Sequence, residues 1–157
     1  MKMNEELIAF LSKLEGRTLF QVLVGPAGVH YDFASGRALS AKRRELSVLS
    51  NAPIHITSKL KPVIFSCGPY PPYACQDELA AILLTRQVAE AAFDPEKNAL
   101  RVVLDEEILL SLLPRLDERG EETVWSVHSH LRQDTEEGNL GFLVGPSFIK
   151  RIKQGKS

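Results

Sequence analysis

The sequence has little cysteine and no excess of charge of either sign. Its 157 residues include two cysteines, too few for the disulfide framework that holds many small secreted domains together. Lys and Arg number 19 against 20 Asp and Glu, which leaves a net charge of −1. A nucleic-acid-binding domain normally carries a basic excess. We therefore expect no nucleic acid among the partners of this chain, and no acidic disordered tail.

Long hydrophobic runs are absent as well. The longest uncharged stretch, 62–76, contains four prolines, whereas a membrane-spanning helix needs about 20 mostly apolar residues. The apolar run near the start, 7–11, is short and follows Glu5 and Glu6, which is untypical of a signal peptide. We expect a cytoplasmic protein without a membrane partner.

Apolar residues make up 44% of the chain, enough to bury a core without disulfides or metal. The length is typical of one domain, so we expect a single domain over 1–157. Within 29–33, apolar Val29, Tyr31 and Phe33 alternate with His30 and Asp32. This alternation predicts a half-buried strand whose apolar side faces the core.

Short segments separated by turn residues follow one another along the chain. Runs of β-branched and aromatic residues predict strands, and apolar residues three or four positions apart predict helices. Residues 41–53 are ambiguous, and 108–113 is either a strand or a short helix. Predicted helices cover 5–14 and 77–86, and predicted strands cover 18–24, 29–33, 38–40, 54–56, 60–65, 88–93, 99–104, 123–130 and 140–144.

These elements predict a β-rich α+β domain with two antiparallel β-meanders, each preceded by a helix. The order helix, strand, turn, strand, turn, strand occurs twice, which suggests an internal duplication of 5–65 and 77–130. A C-terminal strand and a basic tail would fill 131–157. Chance is the alternative explanation, because three-stranded meanders are common.

The segments that lead into these two meanders have related sequences. The first reads Leu-Glu-Gly-Arg at 14–17 and the second Leu-Leu-Thr-Arg at 83–86. The second strand of the first meander ends at Phe33 before a glycine turn, and a later strand carries Trp125. Over 14–130 this pattern resembles small β-rich immunity-type domains of bacterial polymorphic toxin systems. The second copy departs from it by lacking the glycine and the glycine turn.

The resemblance implies a non-catalytic protein that binds a cognate toxin and neutralises it. Such a protein requires no cofactor and no catalytic residues, but it needs a stable scaffold and an exposed recognition surface with aromatic anchors. A structural subunit of a larger assembly is a further alternative.

The segment 68–73 is the first candidate for that recognition surface. Tyr70, Pro71, Pro72 and Tyr73 stand there, within 66–76, a stretch whose three prolines and one glycine exclude regular structure. Proline stiffens the unbound loop and lowers the ordering cost of binding, while tyrosine supplies a large amphipathic contact. The alternative is that both rings fold back and cover the edge of the core.

A pair of histidines supports a different function. His128 and His130 are two positions apart on a predicted strand, so both rings share a face. With Glu136 or Glu137 they would form a metal site similar to that of a cupin, and the chain would be a metal-dependent enzyme or a metal-binding protein. The wide spacing to the glutamates favours ordinary strand-end histidines.

The two cysteines, Cys67 and Cys75, leave several roles open. They could join the histidines in a zinc site or act as a nucleophile, but seven residues between them is poor spacing for structural zinc. A single disulfide between them is a further alternative. Small buried side chains are the ordinary role of free cysteines.

Overall fold

The computed structural model describes residues 2–132, 134 and 140–153. In this part of the chain α-helices accompany β-strands, with 3-10 turns at Ser12–Leu14 and Tyr73–Cys75. The helices are α1 (Lys2–Leu11), α2 (Gly36–Ser40) and α3 (Gln76–Leu83). The strands are β1 (Thr18–Gly25), β2 (Gly28–Ala34), β3 (Leu46–Ser50), β4 (Ile54–Ser58), β5 (Phe65–Cys67), β6 (Val88–Asp94), β7 (Ala99–Leu104), β8 (Ile108–Leu112), β9 (Trp125–Ser129), β10 (Gly141–Val144) and β11 (Ile149–Ile152).

The strands form two antiparallel sheets. Sheet A has the order β1-β2-β3-β9-β10-β11, and sheet B has the order β5-β4-β8-β7-β6. All the strand pairs are antiparallel. The β-rich α+β class is therefore confirmed. None of the helices in the described residues is long and apolar enough to span a membrane.

The chain crosses between the sheets so that each sheet contains strands from both halves of the sequence. After β1, β2 and β3 in sheet A, the chain places β4 and β5 in sheet B. After β6, β7 and β8 in sheet B, it returns with β9 and β10 to sheet A. One long-range strand pair therefore makes each sheet continuous: β3 with β9 in sheet A, and β4 with β8 in sheet B.

The segments that precede β1 and β6 pair with each other. The Gly16 amide donates to the Val88 carbonyl at 2.8 Å, and the Thr85 amide donates to the Leu19 carbonyl at 2.8 Å. Gly16 and Thr85 both have positive φ, 86° and 70°. A β-branched residue seldom adopts this conformation. Thr85 thus occupies a backbone position for which glycine is better suited.

The inner faces of the two sheets share one hydrophobic core. Trp125 of β9 is fully buried, and its indole N–H donates to the Asn98 carbonyl at 2.8 Å. Its ring lies 6.3 Å from that of Phe93 in sheet B. The prediction of inward-facing residues is confirmed for Val29, Tyr31 and Phe33, all of which are buried.

Two helices cover the sides of this core. Phe10 of α1 packs edge-on against Phe142 of β10, with ring centroids 5.4 Å apart. At the start of α3, the Gln76 side chain donates to the Val22 carbonyl and accepts from the Val24 amide, both at 2.6 Å. The Gln76 amide therefore binds the edge of β1 as a neighbouring strand would, which protects that edge from other chains.

The strand predicted at 38–40 is wrong. These residues belong to α2, where the Ala41 amide donates to the Arg37 carbonyl at 3.0 Å. A short apolar run does not distinguish a strand from one helical turn. The third strand of the first half is β3, which lies within the ambiguous segment 41–53.

Two further predictions differ from the structure. The strand predicted at 60–65 is displaced to β5, because Ser58 closes a turn by accepting from the amides of Leu60 and Lys61. The predicted basic tail contains β11. Its lysine and arginine are tolerated because an edge strand leaves one side open to water. Residues 108–112 form a strand rather than a short helix.

The buried Phe33 ring should contribute strongly to stability. We expect Phe33→Ala to lower the free energy of unfolding by about 3–5 kcal/mol, because it removes core contacts and leaves a cavity. Urea titration followed by circular dichroism measures this loss. The control is Val63→Ala at an exposed position, which should change stability by less than about 0.5 kcal/mol. A loss below about 1 kcal/mol for Phe33→Ala would contradict the packing described above.

Candidate functional site

Polar side chains of β2, β3 and β9 meet on the outer face of sheet A. The register places Asp32 opposite Ser47, and Ser47 opposite His128. Because side chains alternate along a strand, His30 and His130 lie on the same face. We call this group, His30, Asp32, Ser47, His128 and His130, the histidine face.

Asp32 is the centre of the hydrogen bonding on the histidine face. Its carboxylate is 2% exposed, accepts from the Ser47 hydroxyl at 2.7 Å and lies 3.0 Å from His30 Nε2. Burial by itself would raise the pKa of Asp32. The hydrogen bonds from His30 and Ser47, with the nearby charges of His30 and Arg44, outweigh burial and hold that pKa below its usual value. Asp32 is therefore ionised in the folded protein at neutral pH.

His128 of β9 and His130, which directly follows β9, each contact a neighbouring serine. His130 Nε2 lies 3.0 Å from the Ser47 hydroxyl, and His128 Nε2 lies 2.8 Å from the Ser126 hydroxyl. Burial lowers the pKa of both imidazoles, and the positive charge of Arg44 lowers each further. Both rings are therefore neutral at pH 7.

The order of these contacts bears on catalysis. A nucleophilic serine needs an imidazole that takes its proton and a carboxylate behind that imidazole. Here Ser47 lies between the carboxylate of Asp32 and the ring of His130, and its short bond to Asp32 assigns its proton to the carboxylate. Ser47 is also buried. The arrangement fixes the polar side chains in place, and it does not resemble an activated serine.

The structure places two of the predicted metal ligands, His128 and His130. His128 and His130 share the outer face, as their spacing predicts, but His130 is directed to Ser47 and His128 to Ser126. In the part of the chain that is described, no three ligating side chains are grouped so as to hold a metal ion. The third proposed ligand, Glu136 or Glu137, lies outside the described residues.

The Pro/Tyr loop, 68–73, leads from β5 towards α3. Tyr70 is 39% exposed and Tyr73 is 67% exposed, while Pro72 is exposed and Pro71 is buried. The loop is anchored to the sheet crossing, because the Tyr70 amide donates to the Asn51 carbonyl at 3.0 Å. Tyr70 has a φ of 54°, a conformation that is uncommon outside glycine. Both tyrosines are therefore accessible from solvent, whereas Pro71 is not.

A notch of about 270 Å³ adjoins Tyr70. Its wall consists of Pro69, Tyr70 and the turn 117–119. The Asp117 carboxylate accepts from the amides of Arg119 and Glu121 at 2.8 and 2.9 Å, which fixes that turn. Glu118 and Arg119 are exposed at the rim. The notch thus joins an aromatic surface to charges of both signs.

Cys67 and Cys75 are free thiols near this loop. Burial raises the pKa of both thiols, so neither has the low pKa of an activated nucleophile. Among the described residues the fully buried Tyr31 hydroxyl has no hydrogen-bond partner, and burial, followed by the two thiols, raises its pKa. These three groups line the core and lack the features of a catalytic centre.

Sequence patterns did not single out three of the five residues of the histidine face, His30, Asp32 and Ser47. Residues 29–33 already show that His30 and Asp32 share the outer side of a strand. Nothing in the sequence shows that this strand is joined to β9 through β3, nor that Ser47 connects Asp32 with His130. The contact between the two groups is a consequence of the strand order.

The fold and its surfaces define a β-rich α+β domain with a hydrogen-bonded polar sheet face and an exposed aromatic loop. No family model matches this sequence, and no curated protein or solved structure matches it either.

Metal analysis tests the alternative built on His128 and His130. Because serines bind both rings, we expect protein purified without added metal to contain no stoichiometric zinc, iron or manganese. Elemental analysis measures the content, and a thermal melt with and without chelator should give the same Tm. One bound ion per chain, lost in His130→Ala, would establish the metal site instead.

Acid titration tests the Asp32 network. The folded pKa of Asp32 lies below its unfolded value near 3.9, so its contribution to stability is present above about pH 4 and is lost as pH falls through the folded pKa. We expect Asp32→Asn to lower the free energy of unfolding by about 1–3 kcal/mol at pH 7. The difference in the free energy of unfolding between this variant and the wild type should become smaller below about pH 4.

Urea titrations at a series of pH values measure this difference. Glu96→Gln, at an exposed turn, is the control and should follow the wild type throughout. A difference for Asp32→Asn that is the same at acidic and neutral pH would contradict the assignment.

Proposed function

We propose that this chain is a non-catalytic protein-binding domain that binds a toxin and neutralises it, in the manner of an immunity protein. It acts in the cytoplasm, where its free thiols stay reduced. The observation that carries the proposal is the pair of exposed tyrosines, Tyr70 and Tyr73, on a loop anchored to the sheets.

The anchoring of the loop supports this function. Tyr70 is held by Asn51, and Asn51 in turn accepts from the Val124 amide through its side chain at 2.8 Å. Just after the other end of the loop, the Gln76 side chain is bound to the edge of β1. A loop that is already ordered loses little entropy on binding, and tyrosine is enriched among the residues that contribute most to interfaces.

The notch beside Tyr70 provides a place for a side chain of the partner. Its volume of about 270 Å³ is bounded by an aromatic ring on one side and by the exposed Glu118 and Arg119 on the other. A buried aromatic centre with a polar rim is typical of protein interfaces. We assign the centre of the interface to Tyr70 and its border to Tyr73 and Pro72.

We also propose that the two helix-led meanders derive from a duplication, with the halves near 5–65 and 77–130. Support comes from the junction, where Gly16 and Thr85 donate equivalent bonds to Val88 and Leu19. It also comes from register irregularities near the start of both β1 and β6. In this proposal the first half adds β4 and β5 to the sheet that contains β6, β7 and β8. The second half adds β9 to the sheet that contains β1, β2 and β3.

Substitution of the tyrosines tests the binding function. The partner is first captured from source cells and identified by mass spectrometry, and it must be toxic alone and harmless with this chain. We expect Tyr70→Ala to weaken its binding by about 2 kcal/mol or more, about thirtyfold in Kd, because it removes the central contact. Tyr73→Ala should weaken it less.

Two controls accompany this measurement. Thermal melts should show that both variants keep the fold, and Leu60→Ala, an exposed apolar residue on the β4–β5 turn, should bind as the wild type does. Unchanged affinity in both tyrosine variants would contradict the proposal. A large fall in Tm would instead make the tyrosines part of the core.

A further inference from the structure

The outer face of sheet A carries a continuous row of side chains across all six strands. The register joins Leu23, His30, Leu49, Ser126, Leu143 and Lys150 in that order. The row begins with two leucines on either side of His30 and ends with a lysine. It lies beside the histidine face and shares His30 with it.

The apolar end of the row is open to solvent. Leu23 is 48% exposed and Leu49 is 37% exposed, with His30 between them. A cleft of about 210 Å³ lies there, lined by both leucines, His30 and the turn 25–28. Two exposed leucines around a cleft form a place for an apolar side chain of another molecule.

The exposed charges that the described residues place on this face are positive. Arg44 is exposed and reaches to 3.4 Å from His30 Nε2, and Lys150 is exposed at the other end of the row. The strands of sheet A, all of them described, contain one carboxylate, Asp32. That carboxylate is buried and hydrogen-bonded within the sheet face. An approaching molecule therefore meets cations, imidazoles and leucines.

We propose that this row, with Arg44, is a second docking surface, which binds a protein segment that combines acidic and apolar side chains. A leucine-sized side chain enters the cleft between Leu23 and Leu49, and carboxylates pair with Arg44 and Lys150. Charge complementarity selects this partner over a basic one, since like charges at an interface are costly. The inference rests on the proposed function only in that the partner is a protein.

Hydrogen bonding within the face supports this role. Asp32 and Ser47 hold the rings of His30 and His130 through Nε2, so these side chains are ordered before a partner arrives. Side chains that are already ordered lose less entropy on binding. The histidine face thus positions the surface, and Arg44 and the leucines make the contacts.

A peptide titration tests the surface directly. The probe is a synthetic peptide of alternating Glu and Leu, added to the isotopically labelled full chain and followed by NMR chemical shifts. A second peptide with Gln in place of Glu is the matched control. We expect shifts centred on Leu23, His30 and Leu49, weaker binding of the Gln peptide, and weaker binding as salt is added.

Charge reversal locates the contact. We expect Arg44→Glu to weaken binding of the Glu peptide at least about tenfold, because it places a negative charge against the carboxylates. Arg101→Glu is the matched control, since Arg101 is exposed on the outer face of sheet B. It should leave the affinity unchanged, and circular dichroism should show both variants folded.

The inference would be overturned by no binding, by equal binding of both peptides, or by equal effects of Arg44→Glu and Arg101→Glu. Shifts confined to the Pro/Tyr loop would also overturn it while leaving the proposed function intact. Conversely, tyrosine variants that bind the partner normally would contradict the proposed function without affecting the peptide result.

Discussion

The antiparallel pairing of β3 with β9 is the interaction on which the rest of the structure depends. It joins a strand from the first half of the chain to one from the second half and makes sheet A continuous. On the inner side it places Val48 opposite Val127, and it positions Trp125 to bridge to sheet B. On the outer side it places Ser47 opposite His128. The same pairing therefore builds the core and the polar surface.

Three carboxylates near sheet A follow one physical rule. Burial opposes ionisation of Asp32, Glu45 and Asp134, yet hydrogen bonds and nearby cations keep the pKa of each below its usual value. Glu45 binds Arg17 at 2.9 Å, and Asp134 binds Lys13 at 2.6 Å. Buried charges are tolerated when they are paired and hydrogen-bonded. This pairing fixes the ends of the sheet and leaves the exposed cations to define the charge of its outer face.

The two proposed surfaces differ in how they are ordered. The Pro/Tyr loop lies outside the sheets and depends on anchors at Asn51 and Gln76. The row on sheet A needs no such anchors, because its side chains project from paired strands. One surface offers aromatic area and the other offers charge beside leucines. In the two proposals, the loop recognises its partner by shape and the row on sheet A recognises its partner by charge.

The sequence by itself determined the local features of the protein. The alternation of Val29, Tyr31 and Phe33 correctly predicts a strand and its buried side, since side-chain period is a local property. Prolines 71 and 72 correctly exclude regular structure at their own positions, but the exclusion of 66–76 is wrong at its ends, where β5 reaches Cys67 and Tyr73–Cys75 form a 3-10 turn. Short runs such as 38–40 mislead because a few apolar residues fit a helical turn as well as a strand.

Only the tertiary structure decided which strands are neighbours. His30 and Asp32 are visible in the sequence as one polar side of a strand, and His128 and His130 as another, but their meeting through Ser47 depends on two crossings between the sheets. The order of the strands is set by burial of all inner faces at once. No single segment carries that information, so the histidine face, the row beside it and the placement of Arg44 emerge only when the chain is folded.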